Sequence, residues 1–216
     1  MALDNAVLQA MRTVGTCRRF RPDPVPDEVL DAALEAARFA PQGGNLQPVR
    51  WLLVRDPALR RALRDLYIPL WETYVAEVVG EVRGTGARSR SLAAANHFAD
   101  TLHEVPLIAI PCVHISSLWA TDDQLGRLPI VGGASVYPFV QNFCLALRSL
   151  DVATAITTLL CQVEPELHEL LDIPEDVGTA CHIAVGYRER SWPTNLRRRA
   201  VADTTYVDRF GTPFAP

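Results

Sequence analysis

Apolar residues recur along this chain in two rhythms, and together these lay out its elements. A helical rhythm opens the sequence, with Leu3, Val7, Ala10, Met11 and Val14 on one face of a helix over residues 3–14. The three prolines of Arg21-Pro22-Asp23-Pro24-Val25-Pro26 forbid helix and predict an extended arm. A second helix follows. Asp27 and Glu28 occupy its first turn, where acids suit the helix dipole; Val29, Leu30, Ala33, Leu34 and Ala37 form its stripe, and Pro41 ends it. Val49–Val54 reads as a strand, and Asp56-Pro57 starts a short helix through Leu66. Residues 67–104 keep a helical pattern broken at Gly80 and at Gly84-Thr85-Gly86, which makes them a candidate lid.

The second half is more apolar. Residues 106–115 are nearly all apolar and β-branched, as in a buried central strand, and a loop covers 116–132. Residues 135–150 are apolar on almost every side, so this helix is buried all round or partly covered by a second subunit. A short strand is expected over 152–158, a helix over 164–171 closed by Ile173-Pro174, and a strand over 181–187. Four or five strands with six or more helices predict an α+β or α/β fold. We expect a single domain over residues 1–216, with one mixed sheet sandwiched by helices.

Composition narrows the chemistry. With 216 residues, 49% apolar and 21% charged, the chain is globular rather than disordered. A net charge of −4 argues against nucleic acid or an anionic membrane as main partner, and no apolar run is long enough to span a bilayer. The five cysteines are scattered and lack any C-x-x-C. Cys112, Cys144 and Cys181 lie in apolar runs and read as small buried hydrophobes. The absence of a disulfide pattern and of a signal-peptide pattern leads us to expect a reducing, cytoplasmic setting. All 21 basic residues are arginine. Whatever its origin, base composition of the genome included, this excludes a lysine Schiff base and the lysine of a P-loop. Anion binding therefore falls to arginine, whose planar fork grips phosphate bidentately.

Four segments carry candidate chemistry, and each has a bland reading beside it. Thr16 and Arg18, where the first helix gives way to the arm, offer a hydroxyl and a cation, or simply a solvated basic turn. The stretch Ala40-Pro41-Gln42-Gly43-Gly44-Asn45-Leu46-Gln47-Pro48 is a stiff loop whose glycines let backbone N–H groups approach a ligand, or an ordinary helix-to-strand turn. Thr157 and Thr158 end a strand, where ligands often bind in such sheets, or are chosen for β propensity. Arg197-Arg198-Arg199 is a phosphate clamp or a solvated run. Gly84-x-Gly86 lacks the third glycine of a dinucleotide motif, and His97 and His103 lie on different helix faces with no further ligand beside them, so no metal is expected.

In this order and spacing the segments resemble the nitroreductase family of FMN-dependent oxidoreductases. Residues 18–26 look like the family's opening arm, and residues 40–48 like its A-P-S-G-G-N-x-Q-P-W loop. The helix at 135–150 with Gln141-Asn142, the pair Ile173-Pro174 before Ala184-Val185-Gly186-Tyr187, and the tail with Arg197–Arg199 and Tyr206-Val207-Asp208-Arg209-Phe210-Gly211 complete the likeness. The resemblance implies a homodimer with FMN at the interface. Thr16, Arg18, Thr157, Thr158, Arg197, Arg198 and Arg199 would serve from one subunit, and Pro41, Gln42, Gly43 and Asn45 from the other. Arg18 would stabilise the anionic reduced flavin.

The chain also departs from the family. Gln42 replaces the loop serine, Val49 replaces its tryptophan, and Val14 and Gly15 stand where the family carries arginine. The charge-assisted hydrogen bond that Gly15 cannot make is worth roughly 1.5–3 kcal/mol. Arg12, one turn back, is a possible substitute. The implied activity is transfer of hydride from NAD(P)H through flavin to a nitroaromatic, quinone or similar acceptor, with no catalytic side chain named. The alternatives are a specialised flavoenzyme (dehalogenase, biosynthetic dehydrogenase or flavin-fragmenting synthase) and a non-catalytic flavin-binding descendant.

Overall fold

The structure is a computed structural model and describes residues 5–80 and 84–214, so Leu3 of the first predicted stripe lies outside the described residues. At its centre is a five-stranded sheet. The strands run in the order β1 (Val49–Val54), β2 (Leu107–His114), β5 (His182–Gly186), β3 (Ala153–Thr157), and β4 (Val177–Thr179) also pairs with β2.

β2 is buried along nearly its whole length, and its successive side chains turn to opposite faces. Leu107, Ala109 and Val113 enter one core with α2 (Asp27–Ala37) and α5 (Tyr137–Ser149), while α1 (Ala6–Thr13) packs on α5. Ile108, Ile110 and Cys112 enter the other core, with α3 (Pro57–Tyr74), α4 (Ala87–Asp100) and α6 (Glu164–Leu171). The α+β sandwich is thus as expected.

Every described ladder is antiparallel, where a mixed sheet was expected. The helices between β1 and β2 explain this for the first pair. α3 leaves the sheet and α4 returns beside it, with Arg64 donating to the Asp100 carbonyl and Trp71 to Asn96. The chain re-enters at the end it left, so Val54 faces Ile108 and β2 runs back along β1.

β4 was not anticipated. It holds three residues, and Gly178 interrupts any alternation. It continues the line of β5 along the same edge of β2 after a break at Ala180-Cys181. Pro111 explains the break. In an antiparallel pair, one residue's N–H and C=O point to the same neighbour. The Pro111 carbonyl accepts from Ala180 N–H, so its missing N–H also faces the break. A proline in a central strand costs little where the ladder is already interrupted.

α3 is capped as the sequence suggests, with the Asp56 carboxylate accepting from Ala58 and Leu59 N–H and Pro57 in the first turn. It then runs past Leu66 and through Pro69 to Tyr74, and passes into a π turn over Val75–Val79. Pro69 removes a single helix bond, and the burial of Leu63 and Tyr67 holds the helix across it. α2 ends at Ala37, a turn earlier than expected.

α5 is not buried all round within one chain. Phe139, Val140, Phe143, Cys144 and Leu147 are buried, but Tyr137 and Gln141 face outward. Its inner face is filled by Trp51, whose ring centroid lies 4.5 Å from Phe143 and 5.6 Å from Phe139. The three cysteines read as hydrophobes are buried. Burial pushes the Cys112 and Cys144 thiols up to about 11 and Cys181 up to about 12.

Replacing the fully buried Phe143 with alanine removes this aromatic packing and leaves a cavity. Phe143→Ala should cost about 3–5 kcal/mol in urea denaturation, and a loss below about 1 kcal/mol would contradict this packing.

Candidate functional site

The arm after α1 lies along the edge of the sheet. Its residues have no helix to satisfy their backbone groups, and β3, the last strand in the order, has a free edge. Cys17 N–H donates to the Thr154 carbonyl at 2.9 Å and Arg21 N–H to the Tyr187 carbonyl at 2.8 Å. Glu189 N–H donates to the Arg19 carbonyl at 3.3 Å, and Phe20 pairs with Arg188 across an antiparallel bridge. The arm is therefore strapped between β3 and the segment after β5. Cys17 turns inward and is buried, while Thr16 is exposed and Arg18 half-buried.

Thr16, Arg18, Thr157 and Thr158, four of the expected site residues, line one cavity of about 460 Å³. Its other wall comes from α3 and α4. Tyr67, Trp71 and Tyr74 stand at i, i+4 and i+7 on α3, with Arg88 and Leu92 from α4. The Tyr67 and Trp71 rings are nearly parallel with centroids 6.4 Å apart, and Trp71 Nε1 donates to Asn96 Oδ1 at 3.0 Å, tying α3 to α4. The Tyr67 hydroxyl lies 3.3 Å from Thr157 Oγ1. Burial pushes this phenol up, and the bond from Thr157 opposes that shift. The candidate lid thus supplies one wall of this cavity.

Across the ladder from Thr157 stands His182, 1% exposed, with neither ring nitrogen bonded to a described atom. Burial alone lowers its pKa to about 4, so it is neutral at physiological pH.

The Pro41–Pro48 loop forms a separate cavity of about 510 Å³. Pro41, Gln42, Gly43 and Leu46 line one side, with Trp119 and Ser135 on the other. Gly43 N–H donates to Ser135 Oγ at 3.0 Å, which fastens the loop to the turn before α5. The backbone needs positive φ at Gly44, Asn45 and Gln47, so Gly44 suits a position that side chains rarely adopt. Gln42 Oε1 is buried without a described partner. Asp122 shapes the far wall, accepting from Arg127 at 2.7 Å and from Ile130 N–H at 2.9 Å. The two cavities share no lining residue.

The remaining expected residues fall elsewhere. Asn45 is exposed and lines neither cavity. Arg197, Arg198 and Arg199 are exposed and line none of the described cavities. The tail reaches α1 one residue before them, where Leu196 N–H donates to the Arg12 carbonyl at 3.1 Å. A Cβ on Gly15 would come within 3.0 Å of Leu196 Cδ2, so the tail's leucine occupies the room a longer residue would need. Arg12 is exposed and lines no described cavity either.

The sequence matches the nitroreductase family over residues 12–187. The chain belongs to that family. A 5,6-dimethylbenzimidazole synthase of Rhodobacter capsulatus is 26% identical over 206 residues, covering 91% of this chain and 90% of that protein. An NADH dehydrogenase of Thermus thermophilus is 58% identical over 48 residues, so the match spans only 22% of this chain and 23% of that protein. Among solved structures, a nitroreductase with bound FMN from Desulfitobacterium hafniense superposes with a TM-score of 0.67 at 21% identity, over 95% of this chain and all of that one. Iodotyrosine deiodinase bound to FMN and 3-iodo-L-tyrosine gives 0.66 at 23% identity, over 90% of this chain and 96% of that one. These likenesses agree with the nitroreductase-like fold.

Within this family fold, several site residues escaped the sequence reading. Tyr67, Trp71 and Tyr74 were read only as part of a helical lid, although their i, i+4, i+7 spacing marks one aromatic face. Arg188 and Arg190, which line a smaller cavity with Thr16 and Arg18, sit in a segment without periodicity. No helix among the described residues is long and apolar enough to cross a membrane.

His182 generates a pH prediction. Its folded pKa of about 4 lies below the unfolded value, so protonation favours the unfolded chain. Its contribution is intact above about pH 6.5 and is lost as pH falls toward 4, reaching about 3 kcal/mol of destabilisation there. Urea unfolding of wild type and His182→Leu across this range should show a slope that the variant lacks. Parallel profiles would contradict the neutral buried imidazole.

Proposed function

We propose that this chain is an FMN-dependent oxidoreductase that takes hydride from NAD(P)H and reduces a small acceptor such as a nitroaromatic or quinone. The observation that carries this reading is the convergence of Thr16, Arg18, Thr157 and Thr158 on one cavity in a fold whose solved relatives hold FMN.

The residues fit that group. The cavity volume, about 460 Å³, lies in the range of small-molecule sites. Trp71, Ile156 and Leu92 give it apolar walls for a flat ring, and no described carboxylate lines it. In the wall of the second cavity, Gln42 has its Oε1 buried without a described partner. FMN supplies the redox chemistry, accepting a hydride and returning two electrons.

The chain's own residues bind and orient. Arg18 would hold positive charge against the ring edge that becomes anionic when the flavin is reduced. The Thr16 hydroxyl would donate to a ribityl or phosphate oxygen, and Thr157, fixed by Tyr67, and Thr158 would face the reacting edge. The α3–α4 wall, as a lid, excludes water. A quinone would leave as hydroquinone, with two electrons and one hydrogen supplied by the nicotinamide's hydride and one further proton by solvent, and the nicotinamide would leave oxidised.

Pro41, Gln42, Gly43 and Asn45 would complete the site from a second copy. Two observations support a homodimer. The loop's cavity is separate from the first, and the side chains around it stand in water: Leu46, Trp119, Leu128 and Ile130 are 65–82% exposed. The phosphate end falls to arginine, either Arg197–Arg199, as the resemblance implies, or those nearer Thr16.

The test is the visible spectrum of the protein after FMN addition and desalting. A retained flavin band that bleaches with NADH or NADPH and recovers with a quinone is expected. A protein that retains no FMN would overturn the reading. Flavin that is destroyed rather than recycled would favour the alternative of a flavin-fragmenting synthase; two relatives aligned over 91% of the chain are named 5,6-dimethylbenzimidazole synthase.

A further inference from the structure

A cavity of about 200 Å³ opens beside the proposed flavin cavity and shares Thr16 and Arg18 with it. Arg19, Arg188 and Arg190 also line it, and no described carboxylate does. None of these four arginines forms a described ion pair with an acid; Glu189, between two of them, is exposed and lines no part of the cavity.

The strap explains the cluster. Phe20 faces Arg188 across the antiparallel bridge, so Arg18 and Arg190 stand two residues further along on the same face. Arg188 lies over the Trp192 ring at 4.9 Å, and Trp192 donates to Asp151. Arg19 is held by His97 at 3.1 Å. Four converging cations with no described acid among them repel one another unless an anion joins them. The arginine fork suits a phosphate monoester, whose dianion takes bidentate bonds.

We propose that Arg188 and Arg190, with Thr16, hold the phosphate of the flavin, in place of the Arg197–Arg199 run, while Arg18 at the junction stays with the ring. This rests on the flavin reading above. Because the two cavities meet at Thr16 and Arg18, one ligand spans both, with its flat ring in the larger and its phosphate in the smaller. The bare Gly15 fits this arrangement. Leu196 fills the space above it, and the positive charge comes from across the strap. Arg197, Arg198 and Arg199, by contrast, line none of the described cavities.

The test titrates full-length apoprotein with FMN and with riboflavin, which lacks the phosphate, by quenching of flavin fluorescence. In Arg188→Ala/Arg190→Ala, FMN affinity should fall roughly 10- to 100-fold while riboflavin affinity moves less than about 3-fold. Intact riboflavin binding also shows that the variant is folded. Arg190→Lys should recover part of the loss. The triple alanine variant at 197–199 should keep its preference for FMN within about 3-fold. The proposal is overturned if the double variant keeps the wild-type preference, or if the 197–199 variant loses it. It is overturned too if the double variant loses only a preference for NADPH over NADH, which would put the nicotinamide's phosphate in this cavity. A wild-type protein that binds neither flavin would sink the flavin reading itself. FMN binding with the preference unmoved would sink this inference alone.

Discussion

The backbone strap between residues 16–21, the edge of β3 and the segment after β5 is the constraint on which the site depends. Each of its bonds is an ordinary backbone hydrogen bond, worth about 1 kcal/mol net. Its importance is positional. Cys17 bonded to Thr154 and Arg21 bonded to Tyr187 fix the phase of the arm. That phase turns Cys17 inward and sends Thr16 and Arg18 to the cavity at the end of β3. A slip of one residue would bury an arginine and expose a cysteine, so the buried thiol locks the register.

The alternation of β2 divides the rest of the molecule. Its even-numbered residues pack under α3, α4 and α6, and the proposed flavin cavity lies between that layer and the arm. Its odd-numbered residues pack under α2 and α5, and the Pro41 loop leaves from that layer. The two halves of the candidate site therefore belong to opposite faces of one sheet. A single chain does not bring them into one cavity, and a second copy supplies the missing half in the proposed dimer.

Much of the fold was legible because burial imposes periods. The strand at 49–54 and the helix at 164–171 match their expected bounds, and β2, β3 and β5 fall within theirs. The misses have local causes. Pro69 sits inside a helix because the burial of Leu63 and Tyr67 in the turns before it outweighs one missing bond, and β4 is too short to show a period. Among site residues, Thr16, Arg18, Thr157 and Thr158 share a cavity because arm and strand are both short and rigid. The Arg197–Arg199 run is exposed, since a cluster of like charges in sequence says nothing about where the tail carries it. Arg188 and Arg190 draw their significance from a strand pairing that sequence spacing does not reveal.

The measurement that tests the shared site most directly is complementation between two damaged copies. Arg18→Ala disables the arm half, and Gly43→Phe blocks the loop half at a position where only Ser135 Oγ, 3.5 Å away, would meet the new Cβ. Each variant alone should bind little FMN. When the two are unfolded together and refolded as a mixture, random pairing should restore roughly a quarter of the wild-type flavin sites, because each mixed dimer contains one undamaged site. A mixture that binds no more FMN than its parts, although both chains fold and associate, would contradict a site built from two copies.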